Sequence, residues 1–74
     1  MRKYTVVVHP AEEGGYWVEV PALPGCYSQG ESVEEAVSTV REAIEAHLEA
    51  LRQEGQGIPD DRDLVIRQVE VAVA

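Results

Sequence analysis

The segment from Pro21 to Glu35 constrains the fold more than any other part of the chain. Pro21 and Pro24 each lack the backbone N–H that a central strand must donate, so a strand has to end here. Pro24-Gly25 predicts a tight turn, because proline presets φ at the second turn position and glycine accepts a positive φ at the third. Gly30 then allows a second sharp change of direction.

Ser32 and Glu35 predict where a helix begins after this turn. The Ser32 hydroxyl can accept a hydrogen bond from the backbone N–H of Glu35, and the Glu35 carboxylate can reach back to the N–H of Ser32. This is the spacing of a capping box. The acidic side chains around it also favour the positive end of a helix dipole. The segment therefore ends one strand, turns twice and starts a helix.

Alternating valine and aromatic residues predict two strands before this segment, over residues 3–9 and 16–20. Gly14 and Gly15 lie between them and can take the positive φ that a hairpin loop needs. A short third strand is predicted over residues 26–29. These three strands should form an antiparallel meander, with the short third strand at a sheet edge.

Residues 33–54 carry apolar side chains at three- and four-residue steps, which is typical of one amphipathic helix. Gly55 follows and predicts its end. After a turn-rich loop, residues 64–73 alternate again and predict a last strand. No repeat or second domain is visible, so residues 1–74 are expected to form a single domain.

The predicted order is β-β-β-α-β, an α+β fold of two layers with the long helix on one face of the sheet. The right-handed crossover rule places the last strand parallel to the first, which gives the sheet order 3-2-1-4. One set of alternating side chains should face the helix: Tyr4, Val6, Val8, Tyr16, Val18 and Val20.

The charge balance limits the class of partner. Fourteen acidic residues against six basic ones give a net charge of −8. Binding to nucleic acid requires a basic surface that displaces phosphate counterions, so this chain is expected to bind neither nucleic acid nor an anionic membrane. A basic protein partner fits better.

The sequence also predicts a cytoplasmic protein. It has no apolar run long enough to cross a membrane, and the basic start of the chain lacks the apolar block of a signal peptide. The single cysteine, Cys26, suits a reducing compartment.

Several side chains could in principle carry chemistry, but none lies in a supporting motif. Cys26 could be a nucleophile if His9 or His47 activated it, yet a lone cysteine after a turn is more typical of a small apolar group. Two histidines are too few for a metal site. A metal-dependent nuclease would need carboxylates converging at strand ends, where the first strand has valines. We therefore predict no enzyme, metal or cofactor.

A candidate interface lies on the sheet face away from the helix. Trp17 points to that face, beside Val7 if the strand register is simple. It is either a cover for the second sheet face or an anchor for a partner, since aromatic residues dominate interface hot spots. Glu12, Glu13 and Glu19 are either ordinary solvated residues or an acidic rim that meets a basic partner.

Together and in this order, several stretches resemble the HicB family of bacterial and archaeal antitoxins: Gly15–Pro21, Leu23–Cys26, Gly30–Ala36 and Gly57–Pro59. The resemblance covers nearly all 74 residues. It implies the same fold, which is like a shortened ribonuclease-H-type topology. It also implies a partner, a small basic HicA-type toxin that cleaves mRNA with a catalytic histidine. The antitoxin would cover the toxin's RNA-binding surface without chemistry of its own.

Two further expectations follow. Many HicB proteins continue into a DNA-binding module, whereas this sequence stops at Ala74, so operator binding is not expected of it. A homo-oligomer is expected, because the core is small and the apolar last strand would lie on a sheet edge. The alternative to the antitoxin is a solitary structural or ligand-binding oligomer without a toxin.

Overall fold

A computed structural model describes residues 2–61 and 65–73. Its elements are the strands β1 (Val7–Pro10), β2 (Tyr16–Glu19) and β3 (Tyr27–Gly30) and the helix α1 (Val33–Gln53). The strands form one antiparallel sheet in the order β1-β2-β3. α1 packs on one face of this sheet, mainly against β3. The α+β class and the three-stranded meander are thus confirmed.

Two consecutive β-turns connect β2 to β3, as the prolines predicted. The first has Pro21 at its second position and is closed by the N–H of Leu23, which donates to the carbonyl three residues earlier (2.9 Å). The second has Pro24 and Gly25 at its centre and is closed by the N–H of Cys26 (3.0 Å). Gly25 has a φ of 86°, which is the conformation that favours glycine.

Glycine is required at position 30 for a different reason from the predicted change of chain direction. Its φ does not lie in the positive region, so it is not needed for a left-handed turn. Instead, the end of β3 lies against the first turn of α1, and a Cβ added to Gly30 would be 2.5 Å from the backbone nitrogen of Ala36. Glycine is required here because two backbones approach too closely for a side chain.

Of the two hydrogen bonds predicted for the cap at the start of α1, one is present and the other has a different donor. The N–H of Glu35 donates to the Ser32 hydroxyl (3.1 Å), as predicted. The Glu35 carboxylate, however, accepts from the N–H of Glu31 (3.3 Å) and not from that of Ser32. The carboxylate therefore fixes the residue that precedes the cap, next to the end of β3.

Replacing Ser32 with alanine should destabilise the protein by about 1 kcal/mol, because the N–H of Glu35 loses its acceptor. Urea denaturation followed by circular dichroism measures this change. Ser38→Ala is the matched control, since Ser38 lies exposed in the helix interior, where alanine is at least as favourable. Equal midpoints for the two variants would contradict the capping role.

α1 ends in a Schellman motif. Gly55 adopts a φ of 74°, its N–H donates to the carbonyl of Arg52 (3.1 Å), and the N–H of Gln56 donates to the carbonyl of Leu51 (2.9 Å). The glycine that the sequence indicates as a helix terminator therefore follows the C-cap residue, Glu54.

The core lies between the sheet and the first half of α1. Its buried residues are Val18, Val20, Leu23, Cys26, Ala36 and Val40. Four of the side chains predicted to face the helix, Tyr4, Val6, Val8 and Tyr16, pack against this cluster but are only partly buried. The predicted helix-facing set is confirmed, and Cys26 is a buried apolar group of the core.

Residues 65–73 do not form the predicted fourth strand. The described chain has no strand over this range, and its valines are 71–87% exposed. The parallel pairing with the first strand, the order 3-2-1-4 and the ribonuclease-H-like topology are therefore not confirmed; Leu64 lies outside the described residues. The physical reason is that a strand requires a partner for its backbone groups, and alternation does not say which chain supplies one.

The loop that follows α1 is tied to the beginning of the chain. The Tyr4 hydroxyl donates to the carbonyl of Pro59. The backbone N–H and the hydroxyl of Thr5 both donate to the Asp61 carboxylate (2.9 and 2.8 Å). These bonds bring the end of the loop to the residues just before β1.

Candidate partner-binding surface

The sheet face opposite α1, here called the outer face, consists of side chains in two cross-strand rows. One row aligns Val7, Glu19 and Tyr27, and the other aligns His9, Trp17 and Gln29. Trp17 therefore lies beside His9, and not beside Val7 as the simple register predicted. The register differs by two residues, which keeps every side chain on its predicted face.

Trp17 contacts two other rings on the outer face, those of His9 and Tyr27. The His9 and Trp17 rings stack with centroids 4.2 Å apart and planes at 16°, and Tyr27 is tilted against Trp17 at 6.3 Å. Trp17 remains 37% exposed and Tyr27 62% exposed. The result is an exposed aromatic patch whose rings already support each other before any partner arrives.

Glu19 contacts the aromatic patch at His9. Its carboxylate lies 2.6 Å from Nε2 of His9, and both side chains are a little more than one third exposed. The contact holds the imidazole over the indole of Trp17. Glu19 thus acts on the aromatic patch through His9 and is one of its supports.

A groove of about 760 Å³ adjoins Trp17 between the β1–β2 hairpin and the start of α1. Four carboxylates line it: Glu12, Glu13, Glu31 and Glu35. None of the described residues that line it is Lys, Arg or His. The groove therefore combines an aromatic wall with a negative rim.

Local backbone structure places these carboxylates on both sides of the groove. In the hairpin, the N–H of Gly14 donates to the carbonyl of Ala11 (3.1 Å), and Gly14 and Gly15 have φ values of 101° and 76°. This tight loop presents Glu12 and Glu13 at its tip. On the opposite side, the helix cap holds Glu31 and Glu35 next to each other.

Comparison with known proteins identifies the family. The family described as "HicB_like antitoxin of bacterial toxin-antitoxin system" matches residues 4–71, which is nearly the whole chain. The chain belongs to the HicB-like antitoxin family. Membership in a toxin–antitoxin family implies, in general, a toxin as partner.

Related sequences occur in archaea and bacteria. A UPF0150 protein of Thermoplasma acidophilum is 48% identical over 59 residues, which cover 80% of this chain and 86% of that protein. A UPF0150 protein of Synechocystis is 40% identical over 70 residues, which cover 95% of this chain and 87% of that protein.

Solved structures show the same fold. The N-terminal domain of the Burkholderia pseudomallei antitoxin HicB superposes with a TM-score of 0.65 at 38% identity, over 72% of this chain and 62% of that chain. The B. pseudomallei antitoxin HicB itself superposes with a TM-score of 0.70 at 24% identity, over 100% of this chain and 76% of that chain. The second likeness concerns the fold alone.

The structure of this HicB-like chain brings most of the predicted interface residues together. Glu12, Glu13 and Trp17 line the groove, while Val7 and Glu19 lie beside it on the outer face. Whether these residues contact a partner stays a prediction.

Four further residues of this surface were missed by sequence reasoning. They are His9, Tyr27, Glu31 and Glu35. Alternation in the third strand could have grouped Tyr27 with Gln29 on one face. Only the strand register, however, shows that this face is shared with Trp17.

The alternative chemistries gain no support from the described residues. Cys26 is 4% exposed, and burial raises the pKa of its thiol, which disfavours the nucleophilic thiolate. Over residues 2–61 and 65–73, no group of three or more acidic, His or Cys side chains is placed to hold a metal ion. No helix in the same ranges is long and apolar enough to span a membrane.

Proposed function

We propose that this HicB-like chain binds and neutralises a small basic HicA-type toxin by covering the toxin's RNA-binding surface with the groove and the outer face. The observation that carries the proposal is the groove itself, in which the exposed Trp17 is bordered by four carboxylates and none of the described lining residues is basic. A surface that binds RNA presents Lys and Arg, and these side chains complement such a groove in charge.

Charge would govern the encounter. Each groove carboxylate is exposed, so a single ion pair with a toxin lysine or arginine contributes little on its own. Several carboxylates on one rim, in a chain of net charge −8, add up to a field that attracts a basic partner and accelerates association. The same field disfavours RNA, so the antitoxin would not compete for the toxin's substrate.

The aromatic patch would govern how long the complex lasts. Trp17 is already stacked on His9 and contacts Tyr27, so little side-chain freedom remains to be lost on binding. Burial of its exposed surface removes apolar area from water at the centre of the interface. Inhibition would then be steric, because access of RNA to the toxin is blocked without any reaction on the antitoxin.

Co-expression tests this function. The chain is produced together with a small basic HicA-type toxin, and growth, complex formation and mRNA integrity are measured. The expected result is rescue of growth, intact mRNA and a complex that co-purifies. Toxicity that persists at equal expression, together with no complex, would contradict the proposal.

The double substitution Glu12→Gln/Glu13→Gln should slow toxin association on the order of threefold to tenfold at low salt, because it removes two charges from the groove rim. Dissociation should change little. Surface plasmon resonance over a range of salt concentrations gives both rates. The wild-type association rate should fall as salt rises, and that of the double variant should fall less.

The matched control is Glu42→Gln/Glu45→Gln, which removes the same charge from exposed positions of α1 outside the groove. We expect a smaller decrease in association rate for this control. Equal decreases for the two pairs would mean that net charge alone steers the toxin, and that the groove has no special role.

A further inference from the structure

Residues 65–73, here called the C-terminal segment, are apolar, exposed and unpaired in the described chain. Val65, Val69, Val71 and Val73 occupy alternate positions, broken only by Arg67, and are 71–87% exposed. A run of β-branched residues with this period is suited to a half-buried strand. Nothing in the described part of one chain covers it.

The shape of the single chain shows how far this segment departs from a compact fold. The radius of gyration is 14.6 Å and the principal extents are 51 × 27 × 19 Å. A compact domain of this length would have a radius of gyration of about 11 Å. An exposed apolar segment suited to a strand is an aggregation hazard unless it is paired, so its stable state requires a partner strand.

The fold also contains a place where one strand is missing. β1 is an edge of the sheet, and in the described ranges only β2 pairs with it. Val6 and Val8 on this edge, and Ile44 and Leu48 on the second half of α1, are only partly buried. A strand added beside β1 would provide backbone partners for the edge and cover these side chains.

The C-terminal segment begins close along the chain to the point where the loop after α1 is tied to the residues just before β1. Both donors of Thr5, two residues before β1, bind the Asp61 carboxylate, and the C-terminal segment begins four residues after Asp61. When the segment begins near the edge that would receive it, a twofold axis beside that edge allows two copies to exchange their segments reciprocally. Such an exchange closes as a dimer and leaves no open end for further growth.

We propose that the C-terminal segment of one copy pairs as the fourth strand with β1 of a second copy, and that the exchange is mutual. In this arrangement the side chains of Val69, Val71 and Val73 face α1 of the second copy. The side chain of Ala72 faces the opposite side of the extended sheet. The proposal concerns this chain alone and holds whether or not a toxin binds the outer face. The second copy is favoured as occupant because every chain carries one free segment and one free edge.

Analytical ultracentrifugation of the full chain at 5 to 100 µM tests the exchange. The expected result is a dimer for the wild type. Val71→Asp should raise the dissociation constant of the dimer at least about 100-fold, because the substitution occurs twice in each dimer and places a charge against an apolar face. Ala72→Asp adds the same charge to the opposite row and should leave the dimer within about threefold of the wild type.

A second measurement identifies the contact. A dimer refolded from a mixture of ¹³C-labelled and unlabelled chains should give isotope-filtered NOEs between residues 69–73 of one copy and Val6 or Val8 of the other. A wild-type monomer at 100 µM would overturn the proposal, as would NOEs that arise only within one chain. A dimer that survives Val71→Asp but is lost in Trp17→Ala would also overturn it, because the outer face would then be the interface.

Discussion

Gly30→Ala should destabilise this protein by about 3 kcal/mol, which is a large share of the stability of so small a domain. The added Cβ would lie 2.5 Å from the nitrogen and 2.9 Å from the Cα of Ala36, and 2.9 Å from the carbonyl carbon of Glu35. All three are backbone atoms, so no side chain can rotate away. Relief would require β3 and the first turn of α1 to separate, which would loosen the core around Ala36.

The measurement is urea denaturation of the purified variant, followed by the circular dichroism of the helix. Gly57→Ala is the matched control, because a Cβ at Gly57 meets no atom within 4 Å and its φ is not positive. We expect the control to change the free energy of unfolding by less than about 0.5 kcal/mol. Similar midpoints for the two variants would mean that β3 and α1 are further apart than the structure shows.

Trp17→Ala should raise the dissociation constant of the toxin complex by about 30-fold or more, chiefly through faster dissociation. Trp17 connects the two parts of the proposed surface, since it stacks on His9 and also forms a wall of the acidic groove. It is not one of the buried core residues, so its loss should leave the fold in place. Biolayer interferometry with an immobilised HicA-type toxin measures both rates.

Val37→Ala provides the matched control for exposure. Val37 on α1 and Trp17 are both 37% exposed, but Val37 lies away from the outer face and the groove. We expect its effect on toxin dissociation to stay below about threefold. A folded Trp17→Ala variant that dissociates as slowly as the wild type would exclude the aromatic patch as the anchor, whatever the role of the carboxylates.

The local features of the fold could be predicted because each follows from the chemistry of a few neighbouring residues. Pro24-Gly25 has one favourable turn geometry, and Ser32 caps the helix because its hydroxyl reaches a nearby N–H. The helix-facing set follows from the two-residue period of strands. In contrast, the role of Gly30 depends on how closely β3 approaches α1, and a distance between elements is not visible in the order of residues.

The candidate surface could be predicted only in part, for the same reason. Trp17, Glu12 and Glu13 belong to one hairpin, so the sequence alone suggested their proximity. Glu31 and Glu35 belong to the start of α1 and have an evident local role in its cap and dipole. Only the folding of β3 and α1 against the hairpin makes them the other rim of the groove.

By itself, the sequence determined that an amphipathic helix begins at residue 33 and ends just before Gly55, that three strands precede it and that the last residues are suited to a strand. These properties come from periodicity, which is set within each segment. The tertiary structure decided that Trp17 stacks on His9 and that the C-terminal segment does not pair with any other described part of its own chain. The physical reason is that register and strand pairing depend on hydrogen-bond partners distant in sequence, or in another copy, while side-chain alternation is the same whichever partner is chosen.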